Sequence, residues 1–567
     1  MARPMRRTGT HLCRGADHVL RPAKRGVRMP EVNTRPGSRH DAVAAHLRRG
    51  ACCLAALIVC AAPVSAAEKV IAFRNGGTGA YPDADPPLEW SVTKNVVWRW
   101  DALPLGKTIS SPLIVGDRII TIMPPMTIVC LDKNTGRELW RRERHMEGPR
   151  EDEDKAFEIH AAILRDYRIG ELRLRSQQRG GGPLSLEKAL RAYRGKLSGR
   201  EKGLKRHGYS AADKAFYAER VAALEAVLAD GAANAEAYAA ELAKLEETIA
   251  DDKHAIRAGS NPTKSTPASD GERIFAIFAP GLLVCYDLAG TRLWVHAVVR
   301  EKGRLARPNW STYAKVPVVA GGKVVAAMGD LVHCLDAATG RVRWRVRDEE
   351  AVCGGGPIIG TAGGRHYVGL GTGGVLDLED GREVFRGDRA GFYAQNTVSA
   401  DRRTFHYLRY ALRLEEDPDS PVRVLWRLPD ANILAKKGRK SPTWIFGGGH
   451  QYSAAAVAGG IVYYYNTHYD RRFSAVDAAT GAVIYGPETR VGVDTYSDLI
   501  LAGDHLFSFQ TGQAGQCLIF KAGRAYEKVG ENRLEALTWN VPVFEGKRMY
   551  VRTHLALFCF EKDYHAE

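Results

Sequence analysis

The stretch CLDKNTGRELW, residues 130–140, decides the fold because the chain repeats it with variations. CYDLAGTRLW begins at residue 285, CLDAATGRVRW at 334, LDLEDGREVF at 376 and AVDAATGAVIY at 475. In four of these five copies an Asp lies four residues before a Gly and eight residues before an aromatic residue. A fixed spacing that recurs along a chain indicates one supersecondary unit used many times.

Each copy predicts a β-hairpin. A short apolar run ends at the Asp, whose carboxylate can accept backbone N–H groups in the turn, and the Gly supplies the positive φ that the reversal needs. The run after the Gly alternates outward Arg with inward Leu or Val and ends on a large ring, which is the pattern of a half-buried strand.

Two further β runs precede each hairpin, for example SPLIV and RIITI before the first copy. Four short strands in about 40 to 50 residues are typical of a β-propeller blade. The 100 residues between Asp377 and Asp477 leave room for one degenerate blade that closes at Trp426, and two more blades follow Asp477. The sequence therefore predicts an all-β fold, an eight-bladed propeller of four-stranded antiparallel blades, over the alternative of a linear array of hairpins.

The eighth blade lacks a fourth strand, because the chain stops seven residues after Phe560. The run NVVWRWDAL, from Asn95, is expected to supply it. This pairing would join the two ends of the exported chain in one sheet and leave no open edge in the ring.

The repeated pattern resembles the quinoprotein-type repeat. This repeat forms the blades of pyrroloquinoline-quinone (PQQ) dehydrogenases and of many non-enzymatic relatives, among them the propeller lipoprotein of the outer-membrane-protein assembly machine. The resemblance covers about residues 88–563 apart from one insertion and implies that a Trp packs between neighbouring blades. Trp140, Trp294 and Trp344 match this position, whereas Phe385 and Tyr485 replace the Trp by a smaller ring.

The resemblance leaves two classes of function open. Its enzymes use a catalytic Asp, a calcium ion held by acidic and amide side chains, a Trp floor and, in one branch, a disulfide between adjacent cysteines. The one adjacent pair in this chain is Cys52 and Cys53, which lies within residues 1–67, the export leader described below. No haem attachment motif CxxCH occurs. We expect a non-catalytic binding or scaffold module with no catalytic residue, no metal and no cofactor. The alternative is a divergent oxidoreductase of alcohols or sugars that uses PQQ with calcium.

Residues 1–67 predict an export leader. HLRRG is a basic run, ACCLAALIVCAA an apolar core of twelve residues, and PVSAAE carries small residues that place cleavage after Ala66 or Ala67. The leader holds 12 Lys or Arg and 3 Asp or Glu, so the mature chain falls from +16 to about +7. Export predicts a periplasmic or secreted protein, without nucleic acid as a partner and without a transmembrane helix in the mature chain. A monomer is expected.

Six cysteines remain after the leader. Export would permit disulfides. However, Cys130, Cys285, Cys334 and Cys559 each stand two residues before the acidic residue that ends a strand, and such places are held apart in a ring. They are expected to be small buried apolar residues.

Residues 73–90, FRNGGTGAYPDADPPLEW, contain many turn-forming residues and are expected to wrap irregularly around the outside of the ring.

Residues 145–261 interrupt the repeats. Apolar stripes on either side of Gly231 predict an antiparallel helical hairpin. The insertion joins the outer strand of one blade to the inner strand of the next, on the face where ligand-binding propellers have the mouth of their central funnel. The hairpin is therefore expected to stand beside or over this mouth as a lid or docking arm. Residues 165–206 hold 13 Lys or Arg against 4 Asp or Glu, which indicates either an anion-binding arm or a solvated helix face.

The long loops are expected to converge on that same face and to bind an envelope protein or a polysaccharide. The candidate funnel residues are Asn309, Trp310, Tyr393, Gln395, Trp444, His450, His468, Asp470 and Arg471. The sequence thus divides into a leader (1–67), an N-terminal wrap with the closing strand and blade one (68–144), the helical insertion (145–261) and blades two to eight (262–567).

Overall fold

The structure of the chain is a computed structural model. It describes residues 70–101, 110–146, 154–175, 186–197, 210–250, 265–298, 316–328, 331–348, 355–387, 396–407, 410–427, 454–466, 471–488, 491–492, 498–510, 516–534, 540–553 and 556–565.

The chain begins with α1 (Phe73–Gly76), β1 (Ala80–Tyr81) and β2 (Val96–Asp101). Blade one contains β3 (Leu113–Val115), β4 (Arg118–Met123), β5 (Thr127–Asp132) and β6 (Glu138–Arg142). The insertion contains α2 (Asp154–Arg175), α3 (Leu186–Leu197), α4 (Ala211–Ala233) and α5 (Ala235–Ala250). Blade two contains β7 (Ala268–Ser269), β8 (Arg273–Phe278), β9 (Leu282–Asp287) and β10 (Arg292–Ala297).

Blades three to five continue this rhythm. Blade three contains β11 (Val318–Ala320), β12 (Lys323–Met328), β13 (Leu331–Asp336) and β14 (Val342–Arg347). Blade four contains β15 (Ile358–Ala362), β16 (Arg365–Gly369), β17 (Val375–Asp377) and β18 (Glu383–Phe385). Blade five contains β19 (Thr397–Val398), β20 (Thr404–His406), β21 (Tyr410–Leu414) and β22 (Val422–Arg427).

Three blades complete the ring. Blade six contains β23 (Ala456–Ala458), β24 (Ile461–Asn466), β25 (Arg472–Asp477) and β26 (Val483–Glu488). Blade seven contains β27 (Ile500–Ala502), β28 (His505–Gln510), β29 (Gln516–Lys521) and β30 (Lys528–Arg533). Blade eight contains β31 (Val543–Glu545), β32 (Arg548–Arg552) and β33 (Ala556–Glu561), with β2 as its fourth strand. The predicted eight-bladed propeller and its helical insertion after blade one are confirmed.

The predicted closure of the ring is also confirmed. β2 pairs antiparallel with β33, and Trp98 lies opposite Cys559. The first strands of blades two to seven contact one another in order, so they are the innermost strands and surround the axis. The turns after first and third strands lie on one side of the ring, which we call the turn face. The insertion and the connections between blades leave from the opposite face.

Five tryptophans join neighbouring blades in the same way. The indole N–H of Trp98, Trp140, Trp294, Trp344 and Trp426 donates to the carbonyl after the turn Asp of the next blade, at 2.8–3.1 Å. The ring covers the Gly of that turn so closely that a Cβ there would lie 2.5–2.8 Å from indole carbons. The turn therefore needs Gly both for its positive φ and for this close approach.

The cysteines behave as expected where they are described. Cys130, Cys285, Cys334 and Cys559 are free and fully buried, and each lies opposite a tryptophan of the outer strand. Burial raises the pKa of the Cys130 thiol to about 12, which keeps it protonated. Cys517 is also free and buried, and Cys353 lies outside the described residues.

The insertion has two attachments to the ring. Near its start, α2 packs Ile159 and Ile163 against Phe278 and Leu282 of blade two, at the face opposite the turns. Further on, α4 packs Phe216 against Phe558 of blade eight, on the outer side of the ring. The described helices therefore span from blades one and two to blades seven and eight.

The helix pairing differs from the expected hairpin. Backbone hydrogen bonds from Asn234 to Asp230 and from Tyr238 to Asn234 continue the helical ladder, so α4 and α5 follow one another end to end. The partner of α5 is α2, through a small cluster of Ile169, Leu172 and Leu242. The Ala- and Glu-rich text predicted helices correctly, but apolar stripes do not specify which helix they face.

The expected course of residues 73–90 was wrong in its first part. Residues 70–81 lie inside the ring: β1 pairs in parallel with β27, the innermost strand of blade seven, and Ile71 bridges to Ser269 of blade two. Residues 84–92 then pass to blades seven and eight, where Trp90 stacks on Phe509 of β28 and contacts Phe560 of β33 at a tilted angle. We call residues 70–92 the strap.

Candidate functional site

Eight of the nine predicted funnel residues lie outside the described residues: Asn309, Trp310, Tyr393, Gln395, Trp444, His450, His468 and Asp470. Arg471 is described. Its guanidinium Nη1 donates to the Gly492 carbonyl at 2.7 Å, and its own carbonyl accepts the Val491 N–H at 3.0 Å. Arg471 thus binds the start of the connection between blades six and seven, and its role in ligand binding stays a prediction.

The described part of the ring axis is built around Arg74 of the strap, whose side chain is 3% exposed. Its guanidinium donates to the Thr397 hydroxyl at 3.2 Å and to the Leu499 carbonyl at 3.1 Å, and it also bonds the Ala455 carbonyl. The Thr397 hydroxyl in turn donates to the Ala455 carbonyl at 2.9 Å. One side chain therefore contacts blades five, six and seven at once, and we call these partners the Arg74 pocket.

Asp498 completes the Arg74 pocket. Its Oδ2 lies 3.9 Å from Arg74 Nε, and its Oδ1 accepts the Ala454 N–H at 2.6 Å. Burial lowers the pKa of Arg74 and raises the pKa of Asp498, in each case against the attraction of the partner. The cost of desolvation thus exceeds the attraction within this pair, as expected for buried charges.

The strap backbone reaches this position in a left-handed turn. Arg74, Asn75 and Gly76 have φ of 54°, 53° and 66°, a conformation that L-residues other than Gly rarely adopt. Gly77 follows at φ 89°, and a Cβ there would lie 2.7 Å from Ile358 Cγ2 of blade four. The two strained non-glycine residues cost about 1 to 3 kcal/mol each, which the surrounding contacts must offset.

Backbone bonds fix the strap along the innermost strands. The N–H groups of Val398, Leu501 and Gly503 donate to the carbonyls of Gly77, Gly79 and Tyr81 at 2.8–3.1 Å. Arg402, from the turn of blade five, donates to the Gly76 carbonyl at 3.0 Å and to the Ile359 carbonyl at 3.3 Å. Burial lowers the pKa of Arg402 to about 10, so the side chain stays charged at neutral pH.

Polar side chains also connect the starts of the innermost strands. The Val541 N–H donates to the Ser111 hydroxyl at 3.0 Å, and the Ser111 N–H donates to the Thr266 hydroxyl at 2.9 Å. Asn396, which follows the predicted residues Tyr393 and Gln395, is buried and donates to the Gly369 carbonyl at 3.1 Å. These groups serve the packing of the inner ring, since their hydrogen bonds are used within it.

Four histidines with strongly lowered pKa values lie outside the innermost strands; three of them are buried and His296 is half-buried. His145 binds the Met126 carbonyl through Nε2 at 2.7 Å and the Tyr286 hydroxyl through Nδ1 at 2.8 Å, beneath α2. His296 Nε2 and His333 Nδ1 lie 3.1 Å apart between blades two and three. Burial lowers the pKa of His145, His296 and His406 to about 4 and that of His333 to about 3. These imidazoles are neutral in the folded chain at pH 7.

The described axis does not suit a quinone with a calcium ion. Calcium takes six to eight oxygen ligands, several of them carboxylates. In the Arg74 pocket the one carboxylate, Asp498, faces a guanidinium, and the other described groups are a hydroxyl and peptide carbonyls. Over the whole described part of the chain, no three His, Cys, Asp or Glu side chains converge on a possible metal site.

No described helix is long and apolar enough to cross a bilayer.

Sequence reasoning missed the Arg74 pocket. Its partners lie 323 to 425 residues away along the chain, so no local spacing reports it. One signal was present: FRNGGTG places three glycines and an Asn around a single Arg, a composition that suits left-handed backbone. The same composition is typical of exposed turns, which explains the expected outer course.

Comparison with known proteins agrees with the architecture. A family model described as outer membrane protein assembly factor BamB matches residues 279–406, which run from blade two into blade five. No curated protein sequence matches this chain significantly.

Solved structures resemble the chain at low sequence identity. BamB of Moraxella catarrhalis is 14% identical with a TM-score of 0.37 over 53% of this chain and 84% of that one. The quinohemoprotein alcohol dehydrogenase ADHIIG of Pseudomonas putida HK5 is 12% identical with a TM-score of 0.44 over 86% of this chain and 79% of that one. The computationally designed protein Ika8 is 11% identical with a TM-score of 0.29 over 52% and 95%. The chain is an eight-bladed β-propeller whose residues 279–406 match the family model described as outer membrane protein assembly factor BamB.

Proposed function

We propose that the chain is an exported β-propeller that binds a protein or polymer of the cell envelope and performs no catalysis. The observation that carries the proposal is the filled axis, where Arg74 and the strap backbone use the hydrogen-bonding groups of the innermost strands. When the described centre of a ring is filled by its own chain, a partner is expected to bind at the outer surfaces of the ring rather than at its centre.

The insertion is the proposed recognition element. Its two attachments fix it to the ring, and the far half of α2 pairs with α5 away from the blades. Arg168 binds Glu241 at 2.7–2.8 Å and Glu171 at 2.7 Å, which fixes the pairing of the two helices. Such an arm would hold a binding surface in a defined orientation, as either a docking arm or a lid.

The location of the protein follows from the leader under this proposal. The basic, apolar and small-residue runs of residues 46–68 suit export and cleavage, and the BamB-type family match suits the cell envelope. We propose that the mature chain acts as a monomer whose partner is an envelope protein or polysaccharide.

Reconstitution separates this proposal from the oxidoreductase alternative. The full mature chain would be incubated with PQQ and calcium, and binding would be measured by equilibrium dialysis before dye reduction with alcohols and sugars. We expect neither stoichiometric binding nor turnover. Stoichiometric quinone binding with turnover would overturn the proposal.

Site-specific photocrosslinking tests the binding role. A photoreactive residue would replace the exposed Lys244 on α5 or, as the matched control, the exposed Asp419 on the turn face of blade five. The variants would be expressed with the native leader and irradiated in whole cells. We expect a discrete adduct from position 244 and none from position 419. Equal adduct formation at both positions, or none at position 244, would contradict recognition by the insertion.

A further inference from the structure

Three of the eight boundaries between neighbouring blades have no inter-blade tryptophan contact among the described residues. At the boundary between blades four and five the ring is Phe385, and between blades six and seven it is Tyr485. The outer strand of blade seven, β30, reads KVGENR and contains no aromatic residue. Among the described residues, these three boundaries lack the indole N–H bond that joins the other five.

The strap contacts all three of these boundaries. Between blades four and five, Gly77 packs on Ile358, its carbonyl accepts the Val398 N–H, and Arg402 joins Gly76 to Ile359. The boundary is thus crossed by backbone of the strap rather than by an indole.

Between blades six and seven, Arg74 bonds the Ala455 carbonyl on one side and the Leu499 carbonyl on the other. A guanidinium carries five N–H donors in a rigid planar fork, so it can hold two strands at a fixed separation. A Lys at the same position would have one donor centre and could not hold the same arrangement.

Between blades seven and eight, Trp90 stacks on Phe507 and Phe509 of one blade and contacts Phe560 of the other at a tilt of 45°, with ring-centre distances of 6.0–6.2 Å. Asn532 of β30 fixes this part of the strap. Its side-chain oxygen accepts the backbone N–H of Trp90 at 3.1 Å, and its side-chain nitrogen donates to the Leu88 carbonyl at 2.8 Å. The strap therefore supplies the aromatic residue that β30 lacks.

We propose that the ring is a receptor for its own strap: the channel binds residues 70–81 as a peptide with a left-handed turn at Arg74, and the Arg74 pocket is the part of this site that selects arginine. The strap holds together the boundaries that have no inter-blade tryptophan. The chain thus has a peptide-binding site at its axis, with a stated side-chain preference, independent of whether the protein binds an envelope partner.

The test uses the full mature chain with a protease recognition sequence inserted between Pro82 and Asp83, which are both exposed. Cleavage leaves residues 68–82 held only by non-covalent contacts. Native mass spectrometry then measures the rate at which this fragment leaves. The comparison set is the parent chain, Arg74→Ala, Arg74→Lys and, as a matched control, Arg343→Ala, which removes a half-exposed arginine paired with Asp336 on blade three.

We expect the parent and Arg343→Ala fragments to stay bound, and the Arg74→Ala fragment to leave at least about 30-fold faster, because buried bonds to a charged group are lost. Arg74→Lys should fall between them. Immediate loss of the parent fragment, or equal rates for parent and Arg74→Lys, would overturn the proposal.

Hydrogen exchange provides a readout that does not depend on the folding of the alanine variant. Once prolonged dilution has removed the slowly dissociating fragment from the cleaved parent chain, amides of β19 and β27 should exchange at least about 10-fold faster than in the chain that still holds the fragment, whereas amides of β3 in blade one should not change. Uniform loss of protection in all three strands, or no change in any of them, would contradict the assignment of the strap to particular boundaries.

Discussion

Four histidines, three of them buried and one half-buried, should make the stability of the folded ring depend steeply on pH between 7 and 5. His145, His296 and His406 have pKa values lowered to about 4, and His333 to about 3, because burial penalises the imidazolium. In the unfolded chain a histidine titrates near 6.5. The stabilising contribution of each neutral imidazole is therefore complete above pH 6.5 and is lost as the pH falls toward its folded value.

The magnitude follows from proton linkage. At pH 5 the unfolded chain binds a proton at each of these sites while the folded chain does not, which costs about 2 kcal/mol of unfolding free energy per histidine relative to pH 7. The four sites together contribute about 7 kcal/mol. The pair His296 and His333 accounts for about half of it, and the nearby Arg345 acts in the same direction.

The assay is chemical denaturation at pH 7 and pH 5 for the parent chain and for the double variant His296→Gln with His333→Asn. Gln can place its amide near the Nε2 position and Asn near the Nδ1 position of the histidines that they replace. The difference in unfolding free energy between the two pH values should shrink by about 4 kcal/mol in the double variant. The control His565→Gln changes an exposed histidine and should leave the difference as it is in the parent chain. An unchanged difference in the double variant would refute the reasoning.

Three further predictions concern single contacts. Trp344→Ala should lower the unfolding free energy by about 3 to 5 kcal/mol, and Trp344→Phe by less, measured by urea denaturation; equal stability of the alanine variant would contradict the inter-blade role of the indole. Gly381→Ala should lower the unfolding free energy by about 1 to 3 kcal/mol, since a Cβ would meet the Trp344 ring and the φ of Gly381 is 75°. The control is Gly364→Ala in an exposed turn, where φ is also positive but a Cβ would have no atom within 4 Å and so no clash. Burial raises the pKa of Cys130, Cys334 and Cys559 to about 12, so these thiols should resist a thiol-specific reagent at pH 8 until denaturant is added, and rapid labelling of the folded chain would contradict their buried protonated state.

The sequence predicted the ring because its repeated residues act locally. The Asp that caps a turn, the Gly at positive φ and the ring eight residues on all belong to one hairpin, so their spacing is visible without any tertiary information. The closing strand could also be predicted, because an incomplete last blade demands a partner and the run around Trp98 has the pattern of an outer strand.

The strap and the helix pairing could not be predicted in the same way. Arg74 is held by residues of three distant blades, and the strained backbone around it is stable only inside the assembled channel. The stripe on α4 indicates a buried face but does not say that Phe216 meets Phe558 of blade eight. The predicted funnel residues, apart from Arg471, fall outside the described residues, and their grouping stays a prediction.

Hydrogen exchange of the mature chain tests the central claim most directly, which is that the ring is closed by its own end strand and filled by its own strap. Amides of residues 70–81 and 96–101 should be protected to the same degree as those of β33, residues 556–561, because all three stretches bond to neighbouring strands within one cooperative structure. Complete exchange of residues 70–81 or 96–101 within seconds, while β33 remains protected, would contradict the account.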